Sequence, residues 1–462
     1  MRVLLIVYDN GSYISFFPQG LAYIASILKN MNIEVTIYNQ DVHHYPDEHL
    51  TKYLNENFFD AVCVSIIAGY YQYRKLLAIS DAIMASKNSP YYILGGHGPA
   101  PEPEYFLKKT NADIVVIGEG EDTAKELFTA LNNNSSLAEI KGIAWRSGDD
   151  VYINPRRELI EDVDSIPLPA YELFPMHYYR LHRIPNCQHV DFALPVLSGR
   201  GCKFKCNFCY RMDEGYRPRD PEAIVEEIRY LQQNWDINCI RFSDELFMSS
   251  VTRAEEMCKK FLSEKLDIKW ACSGRLNYAN KNLLKLMKQA GCVFINYGIE
   301  AFDDHILKNM KKGLTTKQIT RGVENTIDAE ISPGLNIIFG NIGENRETLQ
   351  KGVDFLLKYD DGAQLRTIRP VTPYPGCKLY YYAIEKGMLE DVQDFYENKH
   401  VNSDLLTVNF TELTDDEFYQ ALSEANKTLI NNYFEKKKQS YTNQVEHLYT
   451  THDPNFRGFR QA

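Results

Sequence analysis

Short apolar runs alternate with amphipathic stretches along the first third of the chain. The apolar runs are RVLLIVY, EVTIYN, AVCVSIIA, YYILGG and DIVVIGEG, and stretches with apolar residues at helical spacing, such as QGLAYIASILKN and LLAISDAIMAS, lie between them. Continuous β-rich runs separated by helices are typical of parallel strands that are covered on both faces. The pattern predicts an α/β domain, doubly wound in the Rossmann or flavodoxin manner, over residues 1–135.

Two of these predicted strands end in glycine-rich stretches. They are Gly95-Gly96-His97-Gly98 and Gly118-Glu119-Gly120-Glu121. Ligands of doubly wound sheets bind beyond the carboxyl ends of the strands, so both stretches are candidates for a ligand pocket. Tight strand-to-helix turns alone would also account for the glycines.

The strand and helix pattern returns after an irregular stretch. Residues 136–192 contain a hairpin-like segment and the proline-punctuated SIPLPAYELFP, and prolines oppose regular structure, so we expect an ordered connector. Six βα units follow over residues 193–390, fewer than a closed barrel requires, and predict an open, partial (β/α)6 barrel. Residues 391–462 have apolar residues at helical spacing and predict a small helical region.

Composition narrows the possible partners. The chain has 462 residues, of which 44% are hydrophobic, and a formal charge of −11, which provides no general attraction to nucleic acid or to anionic membranes. No apolar run is long enough to span a membrane, and the first residues lack the features of a signal peptide. Ten cysteines without a signal peptide indicate reduced thiols and a metal site. We therefore expect a cytoplasmic protein with neither nucleic acid partner nor membrane span.

Three of the cysteines form a compact motif after the first barrel strand. Cys202, Cys206 and Cys209 have the spacing C-x3-C-x2-C. Three thiolates at this spacing can hold one corner of an iron–sulfur cubane and leave its fourth iron without a protein ligand.

A structural zinc site is the alternative reading of the three cysteines. Such a site normally has four protein ligands, and Cys187, His189 and Cys239 nearby provide no matching pair. The cysteines outside the motif lie mostly in apolar runs, which favours core packing. A [4Fe–4S] cluster is the favoured interpretation.

The cysteine spacing resembles the signature of the radical S-adenosylmethionine (SAM) superfamily. The resemblance implies that the open iron binds the amino and carboxylate groups of SAM. One electron from the reduced cluster then cleaves SAM to methionine and a 5′-deoxyadenosyl radical, which takes hydrogen from a substrate. A flavodoxin or ferredoxin is the kind of electron donor implied.

Further motifs at the ends of the barrel strands resemble the same family. They include FSDE, WACSGRLN, TPYPGCKLY and NYGIEAFDDHILKNMKKG, the last of which is similar to the family's G-I-E-x…L-x-x-M-x-K-G stretch. The resemblance implies SAM contacts from Tyr210, Ser243, Asp244, Glu245, Arg275, Glu300, Phe339 and Gly340. Carboxylates near an ammonium group and an arginine near a carboxylate are chemically sensible pairs.

The first domain resembles the cobalamin-binding domain that commonly precedes this type of barrel. The matching segments are FFPQGLAYIASIL, DAVCVSI, ILGGHGPAPEPE and DIVVIGEGEDTAKEL. The histidine of the D-x-H-x-x-G motif has no counterpart at residues 9–13, which implies that cobalt lacks a histidine ligand. The cobalamin contacts implied are Ser65, Ile67, Tyr70, Tyr71, Gly95, Gly96, His97, Gly118, Glu119 and Gly120. A degenerate domain kept for packing is the alternative.

With both sets of motifs, the chain resembles the class B radical SAM methyltransferases. They imply an enzyme that uses cobalamin to methylate an unactivated carbon of a small molecule or natural product. An oxidative cyclase or ring-rearranging enzyme, which transfers no methyl group, is the first alternative. A cofactor-binding sensor without turnover is the second.

Overall fold

The amino-terminal domain is built on a seven-stranded sheet. The computed structural model describes residues 1–12, 15–188, 190–210 and 214–456. The strands of the first sheet are β1 (Arg2–Val7), β2 (Glu34–Asn39), β3 (Ala61–Ser65), β4 (Tyr91–Gly95), β5 (Ile114–Val116), β6 (Ile143–Ser147) and β7 (Asp150–Ile153). Their order is β2-β1-β3-β4-β5-β6-β7, and the first five pair in parallel.

Helices cover both faces of this sheet. They are α1 (Gln19–Asn30), α2 (Gln40–His43), α3 (Asp47–Glu56), α4 (Tyr70–Met84), α5 (Pro103–Thr110) and α6 (Gly120–Asn132). Val3 and Leu5 of β1 pack in the core cluster that contains α1 and α6, whereas Leu4 and Ile6 pack with α3, α4 and α5. The strand is apolar throughout because both of its faces are buried, and the predicted doubly wound α/β domain is confirmed.

The hairpin of β6 and β7 pairs antiparallel with β5, so the sheet continues beyond residue 135. The next segment contains the short helix α7 (Met176–Tyr179) and packs against the first domain. The Ala170 amide donates to the carbonyl of Ala22 at 2.9 Å, and the Asn39 side chain donates to the Tyr179 hydroxyl at 3.0 Å. This segment is therefore ordered by contacts although it has little regular structure.

The carboxyl-terminal half contains an open parallel sheet. Its strands are β8 (Ala193–Val196), β9 (Gly199–Arg200), β10 (Arg217–Pro218), β11 (Cys239–Phe242), β12 (Lys269–Gly274), β13 (Cys292–Glu300), β14 (Ser332–Phe339) and β15 (Arg369–Pro370). Six of them form a sheet in the order β15-β14-β13-β12-β11-β8, while β9 and β10 pair only with each other. All neighbours in the six-stranded sheet are parallel, which confirms the predicted partial barrel.

Helices follow the barrel strands and form the carboxyl-terminal region. They are α8 (Pro221–Trp235), α9 (Val251–Ser263), α10 (Lys281–Gln289), α11 (Asp304–Asn309), α12 (Thr316–Asp328), α13 (Arg346–Lys358), α14 (Lys378–Glu385) and α15 (Asp415–Thr451). Helix α15 has 37 residues and begins with a capping box formed by Thr414 and Glu417. The helical region predicted from the sequence is confirmed, and its last residues, 457–462, lie outside the described part of the chain.

The two domains share one hydrophobic core. A cluster of buried side chains includes Val3 of the first sheet, Tyr171 and Tyr179 of the connecting segment, and Ile240 of the barrel. A π-helix at Asp394–Lys399 also returns to the first domain, where Glu397 accepts hydrogen bonds from Tyr105 and Lys109. Within the described residues, every helix is too short or too polar to cross a lipid bilayer.

Candidate active site

The three motif cysteines lie on a loop between β9 and β10. Arg200 faces Arg217 where these strands pair, so the two ends of the loop are held together. Gly201, which precedes Cys202, has φ +84°, and a Cβ there would lie 2.6 Å from the carbonyl oxygen of Gly215. Only glycine fits this turn, and the turn directs the chain into the cysteine motif.

The cysteines differ in exposure and in protonation. Cys206 is buried, Cys202 is half-buried and Cys209 is exposed. A hydrogen bond from Cys209 lowers the pKa of Cys206 below the usual cysteine value, against the effect of burial and with help from the positive charges of Lys312 and Arg275. These contacts favour the thiolate of Cys206, which is the form that binds iron.

The donor set fits an iron–sulfur cluster. The three cysteines form no disulfide, and the two cations beside them can offset the charge of several thiolates. Across the described residues, no three His, Cys, Asp or Glu side chains converge on a single metal ion. Each iron of a cubane takes one thiolate, so a cluster does not require the three cysteines to converge on a single point.

Arg275, at the end of β12, packs on the cysteine loop. Its guanidinium carbon lies 3.5 Å from the ring centroid of Phe204. In the sequence, Phe204 stands between Cys202 and Cys206. The same guanidinium donates to the carbonyl oxygens of Lys312 and Gly313. Arg275 thus fixes the loop against the segment after α11, and burial lowers its pKa from the usual arginine value.

Glu300 ends β13 in a strained conformation. Its φ is +70°, and the register of β13 with β14 shifts between Gly298 and Glu300. The Lys312 ammonium donates to Glu300 Oε1 at 2.9 Å, and both residues are buried. This bulge turns the carboxylate toward Lys312, and the two charges act on Cys206 and Cys209.

The three polar residues after β11 have different surroundings. Ser243 is exposed, and its hydroxyl donates to Gln19 of α1 at 2.7 Å, which links the barrel to the first domain. Asp244 is buried and accepts from the amide and the hydroxyl of Ser198, and burial raises its pKa to about 6. Glu245 is exposed and acts electrostatically on Cys202. Of the three, Ser243 and Glu245 are the ones accessible to a ligand.

The end of β14 contributes backbone and packing. The Phe339 ring is fully buried and stacks on Phe418 of α15 at 4.7 Å between centroids. Gly340 has φ +103°, and its amide donates to Glu344 Oε2 at 2.7 Å. Phe339 is therefore a core residue, and Gly340 forms the turn after it.

Tyr210 lies where the cysteine loop meets the first domain. Its ring centroid is 5.9 Å from that of His97, in an edge-on arrangement, and His97 is exposed. A Cβ on Gly376 would lie 2.5 Å from the Tyr210 ring and 3.1 Å from Pro101. The loop after β4, the cysteine loop and the TPYPG stretch therefore converge at Tyr210.

The remaining residues expected near cobalamin lie on loops at the carboxyl ends of β3 and β4. Gly96 has φ +90°, and a Cβ there would lie 2.4 Å from the Ile66 carbonyl and 2.8 Å from the Ser65 hydroxyl. Gly95 pairs with Ser65 between the strands. Ile67 is 53% exposed, which leaves an apolar side chain open to a ligand.

Two tyrosines begin α4 beside these loops. The Tyr70 ring lies 6.2 Å from His400 in an edge-on arrangement. The Tyr71 hydroxyl would be 3.0 Å from a Cβ on Gly11, in the stretch 9–13 that was compared with the histidine motif in the sequence. Tyr13 of that stretch lies outside the described residues.

The loop after β5 contacts the barrel through a charged side chain, unlike the loops after β3 and β4. Gly118 has φ +91°, and a Cβ on Gly120 would lie 3.0 Å from Ile24. Between them, the Glu119 side chain is 8% exposed, and its carboxylate accepts hydrogen bonds from Arg200 and Arg217. The Glu119 side chain thus contacts the cysteine loop of the barrel.

Several residues of the site were not predicted from the sequence. Asn207 and Asn341 exchange two side-chain hydrogen bonds, at 3.2 and 3.1 Å, and both are buried. Lys312 pairs with Glu300 as described above. Lys312 lies in the quoted NYGIEAFDDHILKNMKKG stretch and Asn207 lies within the cysteine motif, so position alone could have indicated both.

Comparisons with known proteins identify the family. A model of the B12 binding domain matches residues 13–128, and a model of the radical SAM superfamily matches residues 196–356. The chain is 31% identical over 400 residues to an uncharacterized methyltransferase of Pyrococcus horikoshii, with 84% of each chain covered. The chain belongs to the B12-binding radical SAM family.

Other similar proteins carry related names. This B12-binding radical SAM protein is 27% identical to an anaerobic magnesium-protoporphyrin IX monomethyl ester cyclase of Rubrivivax gelatinosus, covering 86% of this chain and 72% of that one. Its fold matches the radical SAM methyltransferase TsrM of Kitasatospora setae with a TM-score of 0.73 at 16% identity, covering 92% and 88% of the two chains.

Family membership gives the cofactors. The B12-binding radical SAM protein is an enzyme of the cobalamin-dependent radical SAM methyltransferase family. Its cofactors are a [4Fe–4S] cluster, SAM and cobalamin, as the sequence predicts.

Proposed function

We propose that this enzyme transfers a methyl group to an unactivated carbon of a small molecule. The observation that carries the proposal is the contact between His97 and Tyr210, whose ring centroids lie 5.9 Å apart. One residue belongs to the loop proposed for cobalamin and the other follows the last cysteine of the motif. A substrate bound beside this contact would lie within reach of both cofactors.

The residues of the barrel are suited to hold the cluster and SAM. We assign the cluster to Cys202, Cys206 and Cys209, and Lys312 and Arg275 offset its charge. The exposed Ser243 and Glu245 are the groups proposed to accept from the SAM ammonium. When bound, the cluster, SAM and cobalamin supply the electron, the radical and the methyl group of the reaction.

Three further residues predicted to contact SAM have protein partners of their own. Asp244 holds Ser198, four residues before Cys202, and Glu300 is neutralised by Lys312. Arg275 is held between Phe204 and the carbonyl of Lys312. We propose that these side chains keep the strand ends and the cysteine loop in place around SAM, and that the backbone at Gly340 borders the same space.

Cobalamin is proposed to bind at the carboxyl ends of β3, β4 and β5. Ile67, Tyr70 and Tyr71 would face the corrin, and their mixture of apolar and phenolic surface suits a large ring. The glycines of the loops after β4 and β5 would admit the nucleotide tail close to the backbone, together with Ser65 and His97. Apolar side chains of both sheets pack in one core cluster, and an apolar site beside it would protect the reacting carbon from water.

A cyclase activity without methyl transfer is the second candidate. It is favoured by the similarity to the Rubrivivax gelatinosus cyclase. Both candidates need a small-molecule substrate and an electron donor, for which a flavodoxin or ferredoxin is proposed.

The two candidates differ in the products that they form from SAM. The test is anaerobic reconstitution with iron, sulfide and cobalamin, followed by incubation with SAM and a reductant and quantification of both SAM products. A methyltransferase forms S-adenosylhomocysteine and 5′-deoxyadenosine, whereas a cyclase forms only 5′-deoxyadenosine. A sensor forms neither product, and that result would overturn the proposal.

A cysteine variant and a matched control complete the test. Cys206→Ala is expected to abolish both products because the cluster loses its buried thiolate ligand. Cys187→Ser changes a partly exposed cysteine outside the motif and is expected to keep both products. Formation of 5′-deoxyadenosine by Cys206→Ala would contradict the assigned cluster site.

A further inference from the structure

Glu119 joins the first domain to both ends of the cysteine loop. Its Oε1 accepts from Arg200 Nη1 at 3.0 Å and from Arg217 Nη2 at 2.9 Å, and its Oε2 accepts from Arg217 Nη1 at 2.8 Å. The Ile160 amide adds a fourth hydrogen bond at 2.9 Å. A single carboxylate thus contacts two arginines, Arg200 and Arg217, that are 17 positions apart in the chain.

The contact is enclosed and charge-balanced. The side chains of Glu119, Arg200 and Arg217 are 8%, 15% and 16% exposed. Glu121, which is 7% exposed, pairs with Arg200 at 2.5 Å. Burial alone would raise the pKa of Glu119, but the hydrogen bonds from Arg217, Ile160 and Arg200 hold it below its usual value. Bidentate pairing of this kind fixes direction as well as distance.

The two arginines stand at the base of the loop that carries the cysteines. Arg200 and Arg217 face each other in the pairing of β9 with β10. Gly201 alone separates Arg200 from Cys202, and its positive φ leaves the connection little freedom. Movement of Glu119 would therefore be transmitted directly to Cys202.

We propose that Glu119 is a positioning residue that sets the place of the cysteine loop relative to the first domain. Its neighbours Gly118 and Gly120 are proposed to border cobalamin, so the same turn would orient both cofactors. The inference rests on the proposed cluster site, and it gives the Glu119 side chain a role toward the cluster in place of a direct contact with cobalamin.

The test compares Glu119→Gln with Glu126→Gln. Glu126 is a matched control because it also pairs with an arginine, Arg157, and lies on the following helix, away from the cysteine loop. Hydrogen exchange of residues 199–210 is measured on the full chain without iron, and the EPR spectrum of the reduced cluster is measured after reconstitution. The unfolding midpoint in urea is measured for both variants.

Glu119→Gln is expected to speed amide exchange in this segment about tenfold or more and to alter the EPR line shape. Glu126→Gln should leave both within error. Arg217→Lys keeps the charge but loses the bidentate geometry, so it should give an intermediate effect on both measurements. It replaces Glu119→Gln as the test if Glu119→Gln does not fold. Unchanged exchange and EPR in Glu119→Gln, or in Arg217→Lys where that variant is used, would overturn the inference. The exchange measurement does not need the cluster. If the wild-type chain binds no cluster, that result counts against the proposed function, and the exchange rates still test the role of Glu119.

Discussion

Lys312 donates to Glu300 Oε1 at 2.9 Å, and the side chains of the pair are only 9% and 11% exposed. Removing one partner of a buried ion pair leaves an uncompensated charge and costs about 3 to 5 kcal/mol. We expect Lys312→Met to lower the free energy of unfolding by this amount, as measured by urea denaturation. Lys311→Met, at the exposed neighbouring position, should change it by less than about 0.5 kcal/mol.

The double variant Lys312→Met with Glu300→Gln removes both charges of the pair. It should recover part of the stability that Lys312→Met loses, because the remaining amide carries no charge to be compensated. A double variant that is less stable by the full sum of the two single changes would show that the residues are not coupled.

The amide pair of Asn207 and Asn341 holds the cysteine loop against the end of β14. Replacing either by Ala leaves one polar atom of the other buried amide unpaired and should cost about 1 to 3 kcal/mol. The other polar atom keeps a partner, because Asn207 Nδ2 also donates to the Asn309 carbonyl and Asn341 Oδ1 also accepts from the Ile342 amide. The double variant should be more stable than additivity predicts, since the second change removes the group that the first had left unpaired. The check is a double-mutant cycle by urea denaturation, with retained iron as a second readout. Strict additivity would contradict the described pairing.

Helix α15 packs on the barrel through its amino-terminal half, where its buried side chains, including Phe418, lie. Phe418→Ala removes a fully buried ring that stacks on Phe339 and should cost about 3 to 5 kcal/mol. Phe434→Ala, on a part of the same helix where the ring is 58% exposed, should cost less than about 0.5 kcal/mol. The unfolding free energies of the two variants measure this difference, and equal values would refute it.

Glu344 makes the stability depend on pH. Burial raises its pKa to about 8, while hydrogen bonds from Asn341 and Gly340, both to Oε2, oppose this rise. Since the native state keeps a proton that the unfolded state releases at lower pH, this residue's contribution to stability falls as pH rises from about 4.5 to about 8. We expect Glu344→Gln to have a flatter stability profile than the wild type over that range. Profiles of equal slope would exclude the raised pKa.

Much of the fold was predictable because its signals are local. Buried parallel strands such as RVLLIV are apolar at every position, and the helices between them have regular apolar spacing. The pairing of the hairpin with β5 was not predictable, because it depends on an edge that is free only once the sheet has formed. The packing of the connecting segment on α1 is a long-range contact of the same kind.

The sequence indicates where the candidate site residues lie along the strands and loops, but it does not indicate which way their side chains point. The cysteine spacing and the glycine turns are local, so the sequence indicates them directly. Phe339 ends the expected strand, yet its ring points to α15, because successive side chains of a strand face opposite ways. The partners of Glu119 are separated from it by 81 and 98 residues, and only the folded chain brings these charges together.

The binding of SAM to an open iron is tested by the EPR spectrum of the anaerobically reconstituted, reduced protein with and without SAM. We expect the signal of one [4Fe–4S] cluster that shifts when SAM is added, and loss of that signal in Cys202→Ala, Cys206→Ala and Cys209→Ala. A cluster signal that does not change when SAM is added, or one that is retained in these variants, would contradict a cluster held by three cysteines with an open iron.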